Sequence, residues 1–173
     1  ESDLVLTSGE QVTIGLLSAE LKNKGIKSIP LLGWQIPIIT DDSHEKAKIL
    51  HIDNKRIEKF FDKNDVIVLA GFQGISLDGE ITSLGRGGSD TTAVAIASSV
   101  DAKRCDIYTD VDGVYTTDPN IDQNAKKISK MAYEEMLEMA STGSKVLHTR
   151  SVELAMKNNL ILQVLSSVTK ETG

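Results

Sequence analysis

The chain has 173 residues, of which 40% are hydrophobic, 25% charged and only 4% aromatic, and its net charge is −6. That length supports one substantial aliphatic core, and the charge argues against nucleic acid or an anionic membrane surface as the main partner. The single Cys105 excludes an internal disulfide and suits a reducing compartment.

Taken in chain order, helix-like and strand-like segments alternate. Residues 4–21 read as an amphipathic helix already under way behind Glu1, so the sequence is expected to begin inside a larger protein. Thr7-Ser8-Gly9-Glu10 precedes the periodic run Val12, Leu16, Leu17 and Leu21, and Gly25 closes it as a C-cap would. Ser28–Leu32 and Ile36–Thr40 are short extended pieces whose prolines suggest edge positions. Asp53 or Asn54 caps a polar helix over Lys55–Phe61. The continuous apolar run Asp65–Gly71 reads as a parallel central strand, and Leu77-Asp78-Gly79-Glu80-Ile81 as a hairpin turn.

Ser89 or Asp90 is expected to cap a helix over Thr92–Val100, followed by a strand at Asp106–Thr109 and a long loop to about Lys127. Helices over Tyr133–Ala140 and Lys145–Asn158 and a last strand, Leu160–Leu165, complete the pattern. No apolar run approaches the roughly 18 residues a membrane helix needs. The alternation predicts a three-layer α/β/α sandwich with a mainly parallel central sheet. Residues 1–165 are expected to form one catalytic domain, with 166–173 the start of a linker.

Two segments carry chemistry. Thr109-Asp110-Val111-Asp112-Gly113-Val114-Tyr115-Thr116-Thr117-Asp118-Pro119 follows a strand, and in open α/β sheets ligands lie beyond the carboxyl ends of strands. Its carboxylates Asp110, Asp112 and Asp118 miss the spacing of a calcium loop, so sugar and adenine contacts, or plain turn formation, are the better readings. The second segment, Gly85-Arg86-Gly87-Gly88-Ser89-Asp90-Thr91-Thr92-Ala93, places three glycines around a basic residue before a helix start. Glycines let a ligand approach the backbone, and the free amides of a first helical turn attract anions. A glycine-rich surface loop with a capping residue explains the same letters. The segment is neither a Walker A loop nor a dinucleotide fingerprint.

Together the two segments resemble the aspartokinase branch of the amino acid kinase family. Ser8-Gly9-Glu10, Ala70-Gly71-Phe72-Gln73-Gly74 and Gly143-Ser144-Lys145-Val146-Leu147-His148 are further points of similarity, so the resemblance covers nearly the whole chain. It implies that Glu10, Arg86, Gly87, Gly88 and Ser89 contact L-aspartate. It also implies that Thr109, Asp110, Tyr115, Thr116, Thr117, Asp118, Pro119, Asn120 and Lys145 line an ATP site, with Mg²⁺ arriving on ATP and no protein metal site.

The implied reaction gives 4-phospho-L-aspartate, the first step toward the aspartate-family amino acids. A cytoplasmic location and a homo-oligomeric parent go with it. Glu10 suits the substrate ammonium or a position near a helix N-terminus; Arg86 suits the α-carboxylate or is a solvated charge. Asp90 is a cap, or a cap that also orients a cationic phosphate-binding side chain, which is its implied catalytic role. Lys145 opens a helix, where a phosphate ligand or plain solvent exposure would accommodate its charge. His148 reads as structural.

The sequence departs from the family at Asn120, usually arginine, and at Thr149, usually proline. Residues 1–30 contain no match to the family's Lys-Phe-Gly-Gly-Thr-Ser-like phosphate loop, and the regulatory ACT domains are not in the chain, so the isolated segment is expected to be inactive. A uridylate or glutamate kinase, or a non-catalytic ligand-binding fragment, is the alternative.

Overall fold

A computed structural model describes residues 1–119, 121–143 and 146–169. The chain divides into two units, Glu1–Asp101 and Ala102–Gly173. The first unit opens with helix α1, Ser2–Asn23, and continues through β1 Ser28–Leu31, β2 Ile38–Thr40, β3 Ile49–Ile52 and α2 Asn54–Phe61. Strands β4 Val66–Leu69, β5 Gln73–Ile75 and β6 Ile81–Ser83 then lead to helix α3, Gly88–Ser99.

The layering follows from strand alternation. Strands β1 and β4 pair in parallel, Ser28 opposite Val66 through Leu31 opposite Leu69. Val66, Val68 and Ala70 pack with Ile14 and Leu21 of α1. The intervening Ile67 and Leu69 join Leu31, Ile57 of α2 and Ile96 of α3 in a second cluster. A period of two sends successive side chains to opposite faces, so one strand feeds two cores and helices cover both sides. A second sheet has the order β3-β2-β5-β6, parallel only between β2 and β5. The expected hairpin turn is present between β5 and β6, with Gly79 at φ +85°.

The second unit holds β7 Cys105–Thr109, β8 Val114–Tyr115, β9 Lys127–Ile128, α4 Tyr133–Ser141, α5 Thr149–Lys157 and β10 Leu162–Ser166. Strands β7 and β10 form a parallel ladder from Cys105–Leu162 to Thr109–Ser166. The longest ladders, β1–β4 and β7–β10, are thus parallel, and the antiparallel ladders, β2–β3, β5–β6 and β8–β9, are shorter. Helices α4 and α5 pack together, and the Tyr133 hydroxyl donates to Leu160 O at 2.8 Å. Cys105 is buried in its strand.

Several local expectations need correction. Helix α1 starts at Ser2, so Gly9 and Glu10 lie inside it, and most of its apolar run faces outward: Val12, Leu16 and Leu17 are exposed, while Leu21 packs on the core. The inner stripe is instead Asp3, Thr7, Ile14 and Ser18. Polar residues work there because each finds a partner; Ser18 and Ser28 hydroxyls meet at 2.9 Å, and Ser28 donates to Ser18 O. Strand β3 and the small β8–β9 pair were not anticipated. Each is too short to show a period of its own and forms through its partner strand.

Candidate functional site

In the first unit, β6 runs into the glycine-rich loop and then into α3. Gly85 and Gly87 sit at φ +70° and +68°, a region favoured by glycine. A side chain at Gly85 would also strike Glu45 O at 2.6 Å, and one at Gly88 would strike the Phe72 ring at 2.7 Å. These glycines are therefore required by the loop's own folding, whatever binds to it. Gly87 is the N-cap of α3, with no side-chain cap bond, so neither Ser89 nor Asp90 caps the helix as expected. Ser89 and Asp90 instead stand in its first turn, where the carboxylate of Asp90 complements the helix dipole. Arg86 and Ser89 are exposed, and Asp90 is half-buried.

The start of α3 is fixed from behind. The Phe72 N–H donates to Thr92 Oγ1 at 3.0 Å, and Phe72 O accepts from Leu84 N at 2.9 Å. Phe72 has φ +66°, an uncommon value for an aromatic residue that these two bonds hold in place. Gly71 lies behind Ser89, whose Cα is 3.7 Å from where a Gly71 side chain would start.

Glu10 lies mid-way along α1, half-buried. Placement near a helix N-terminus is thereby removed as the reason for its charge. It continues the inner stripe of α1, because positions 3, 7 and 10 share one helical face. That stripe holds a feature absent from the sequence reading. Asp3 is 3% exposed, and its carboxylate accepts from the Ser83 hydroxyl, from Glu45 N at 3.0 Å and from His44 Nδ1. His44 Nε2 also lies 3.3 Å from Glu80. Burial pushes the Asp3 carboxyl up, but the bonds from Ser83, His44 and Glu45 outweigh it and hold the group below the ordinary carboxylate range. The Asp3 bond, with the nearby carboxylates, raises His44. The available signal was the helical spacing of Asp3, Thr7, Ile14 and Ser18 on one face. It was missed because Val12, Leu16 and Leu17 pointed to the opposite face.

In the second unit, Thr109 ends β7. Its hydroxyl donates to Asp110 at 3.0 Å, and its carbonyl accepts from Ser167 N at 2.8 Å and Ser167 Oγ at 2.9 Å. Tyr115 lies on β8, and Thr116, Thr117, Asp118 and Pro119 follow it as an exposed segment. Thr116 N donates to Lys126 O at 3.0 Å and Lys126 N to Thr116 Oγ1 at 3.1 Å, closing the hairpin. The Tyr115 hydroxyl lowers the Asp112 carboxyl against the effect of burial, with help from Lys127 Nζ at 3.5 Å. Lys127 was not singled out by the sequence, since a lysine closing a loop across 15 residues leaves no local pattern.

Asn120 and Lys145 lie outside the described residues. Helix α5 begins at Thr149 with His148 as its N-cap, Nδ1 accepting from Arg150 N at 3.4 Å, so Lys145 does not open that helix. Among the described residues no group of three His, Cys, Asp or Glu could hold a metal ion, and no helix is long and apolar enough to cross a membrane.

Comparison with known proteins bears on the family and the fold. The family model described as amino acid kinase family matches residues 1–166. Aspartokinases of Geobacillus stearothermophilus and Pseudomonas aeruginosa are 50% and 52% identical to the chain over all 173 residues. The chain spans 42% of the length of each. Among solved structures, E. coli aspartokinase III in complex with aspartate and ADP superposes with a TM-score of 0.86 at 32% identity, over 96% of this chain and 38% of that one. Aspartate kinase from Synechocystis gives 0.87 at 43% identity, over 100% of this chain and 28% of that one. UMP kinase from Bacillus anthracis, at 19% identity and TM-score 0.69, covers 98% of this chain and 62% of that one and shares the fold alone.

Proposed function

The chain belongs to the amino acid kinase family, and from that premise we propose that it is the major part of an aspartokinase catalytic region, transferring phosphoryl from ATP to the β-carboxylate of L-aspartate. The observation that carries this reading is the presence, in one unit, of exposed Arg86 and Ser89 at the start of α3 and of a half-buried mid-helix Glu10 on α1, the helix that docks on β6. A cation, a hydroxyl and helix-start amides suit the α-carboxylate, and an anion suits the ammonium. The β-carboxylate is then left free to react. The likeness to a protein solved with aspartate and ADP supports the same assignment.

In this reading Glu10 holds the ammonium, Arg86 clamps the α-carboxylate, and Gly87, Gly88 and Ser89 line the acceptor, with Gly87 and Ser89 offering donors while the Gly88 N–H closes the loop onto Gly85 O at 3.0 Å. Asp90 orients a cationic phosphate-binding side chain. Thr109, Asp110, Tyr115, Thr116, Thr117, Asp118, Pro119, Asn120 and Lys145 serve the nucleotide. An oxygen of the ionised β-carboxylate attacks the γ-phosphorus; the new O–P bond forms as the bond to the bridging oxygen breaks, and ADP leaves with that electron pair. The nucleophile brings no proton, so no general base is needed. Catalysis rests on positioning and charge stabilisation.

Magnesium is carried by ATP. The described residues form no metal-ligating group, so none of them is assigned to an ion. A catalytic region ending near Leu165, a linker beginning at Ser166, a cytoplasmic location and a homo-oligomeric parent belong to the same proposal.

The test is a hydroxylamine trap for acyl phosphate in the full-length protein that carries this chain, supplied with ATP and L-aspartate, L-glutamate or UMP. Aspartate-dependent hydroxamate and ADP are expected. Turnover with glutamate or UMP and none with aspartate would make it a different amino acid kinase, and ligand binding without turnover would make it a binding module.

A further inference from the structure

The inner face of α1 carries, in succession, Asp3, Thr7 and Glu10. Thr7 and Asp3 both dock on the β5–β6 pair. Gln73 Nε2 donates to Thr7 O at 3.4 Å, and the Ser83 hydroxyl donates to Asp3. Gln73 and Ser83 are register partners across the two strands. One helical turn of α1 therefore matches one strand-to-strand step, and all four side chains are fully or almost fully buried. A buried carboxylate is costly unless its acceptor sites are filled, and Asp3 fills them with three donors from three different residues.

Those donors connect to the glycine-rich loop. Ser83 is the last residue of β6, three positions before Arg86, and its carbonyl accepts from Ala47 N at 2.9 Å. Glu45, whose N–H binds Asp3, has φ +64°, and its carbonyl occupies the space where a Gly85 side chain would stand. Asp3 thus reaches the loop along two routes, through β6 and through the segment around residue 45. About two helical turns along the same stripe from Asp3 stands Glu10.

We propose that Asp3 is a positioning residue for the acceptor amino acid: by gathering Ser83, His44 and Glu45 around its carboxylate it sets the distance between Glu10 on α1 and Arg86 after β6. This rests on the reading that Glu10 and Arg86 bind the acceptor. A carboxylate is suited to the task because it accepts from several directions at once, whereas an amide in its place presents a donor to at least one of these partners. Small errors of placement are expensive in a site that works by orientation.

The test uses the full-length protein with ATP and L-aspartate, measuring hydroxamate formation. Asp3→Asn and Ser83→Ala are each expected to raise the aspartate KM about tenfold, within what an ångström of misplacement costs, and to leave the ATP KM within about twofold. Combining Asp3→Asn with Arg86→Lys is expected to raise the aspartate KM by less than the product of the single effects, because both act on one clamp. A lower melting temperature with an unchanged aspartate KM in both Asp3→Asn and Ser83→Ala would overturn the proposal and leave Asp3 a stabilising residue only. Should Asp3→Asn fail to fold, Ser83→Ala decides alone. If Arg86→Lys itself leaves the aspartate KM unchanged, the acceptor reading falls and the proposal with it. If Arg86→Lys raises it while Ser83→Ala and Asp3→Asn do not, only the proposal falls.

Discussion

The Tyr115 hydroxyl donates to both carboxylate oxygens of Asp112, at 3.0 and 3.1 Å. The phenol is committed to the hairpin, so what Tyr115 can offer a nucleotide is its ring. Tyr115→Phe should therefore weaken nucleotide binding less than about threefold, while Tyr115→Ala, which removes the ring, should weaken it about tenfold or more. Fluorescent-nucleotide titration measures both. Equal losses in the two variants would show that the hydroxyl itself meets the ligand.

Arg86 should not tolerate lysine. An ammonium cannot reproduce the two parallel hydrogen bonds of a guanidinium, so Arg86→Lys is expected to raise the aspartate KM at least tenfold and to change the ATP KM much less. Steady-state kinetics in both substrates would show it. Damage shared equally between the two constants would remove Arg86 from the acceptor site.

If Lys145 serves the nucleotide as proposed, Lys145→Ala should weaken ATP binding or turnover while binary aspartate affinity stays nearly constant. Separate titrations with nucleotide and with aspartate measure this. Normal nucleotide binding with normal turnover would make the lysine a surface residue.

Stability should depend on pH through Asp3 and His44. His44 is raised by Asp3 and by Glu80, so its contribution is complete below the ordinary histidine value of about 6.5 and is lost as pH rises through the higher folded value. Asp3 is lowered, so its contribution is present above about 3.9 and is lost as pH falls through its lower folded value. Between those limits both act. Melting curves should show the gap between wild type and His44→Gln narrowing from pH 6 to pH 9. A gap independent of pH would mean that the ring's charge is irrelevant to the fold.

Two glycines should respond in opposite directions to alanine. Nothing lies within 4 Å of a side chain placed at Gly9, inside α1, so Gly9→Ala should stabilise the fold by about 0.5–1 kcal/mol. At Gly85 the positive φ and the Glu45 carbonyl both oppose a side chain, and Gly85→Ala should cost more than about 1 kcal/mol. Denaturant melts give both signs. If Gly9→Ala stabilises but also raises the aspartate KM, that glycine serves the acceptor bound at neighbouring Glu10.

The sequence by itself determined the fold class and the family, and it drew attention to the two segments on which the proposed chemistry rests. These rest on local patterns: an unbroken apolar run at Val66–Ala70, Asp78-Gly79 in a turn, and glycines around Arg86 before a helix. Such signals survive without knowledge of neighbours, because backbone geometry alone demands the residue types. Only the tertiary structure decided which face of α1 is inside. Val12, Leu16 and Leu17 point outward, and the buried stripe is Asp3, Thr7, Ile14 and Ser18, whose polar members make sense only once Ser83, Gln73 and Ser28 are seen opposite them. It likewise moved the cap of α3 from Ser89 or Asp90 to Gly87, and the start of α5 from Lys145 to Thr149. A hydrogen bond between residues 80 positions apart leaves no trace in either local sequence, and the Asp3–Ser83 contact is of that kind.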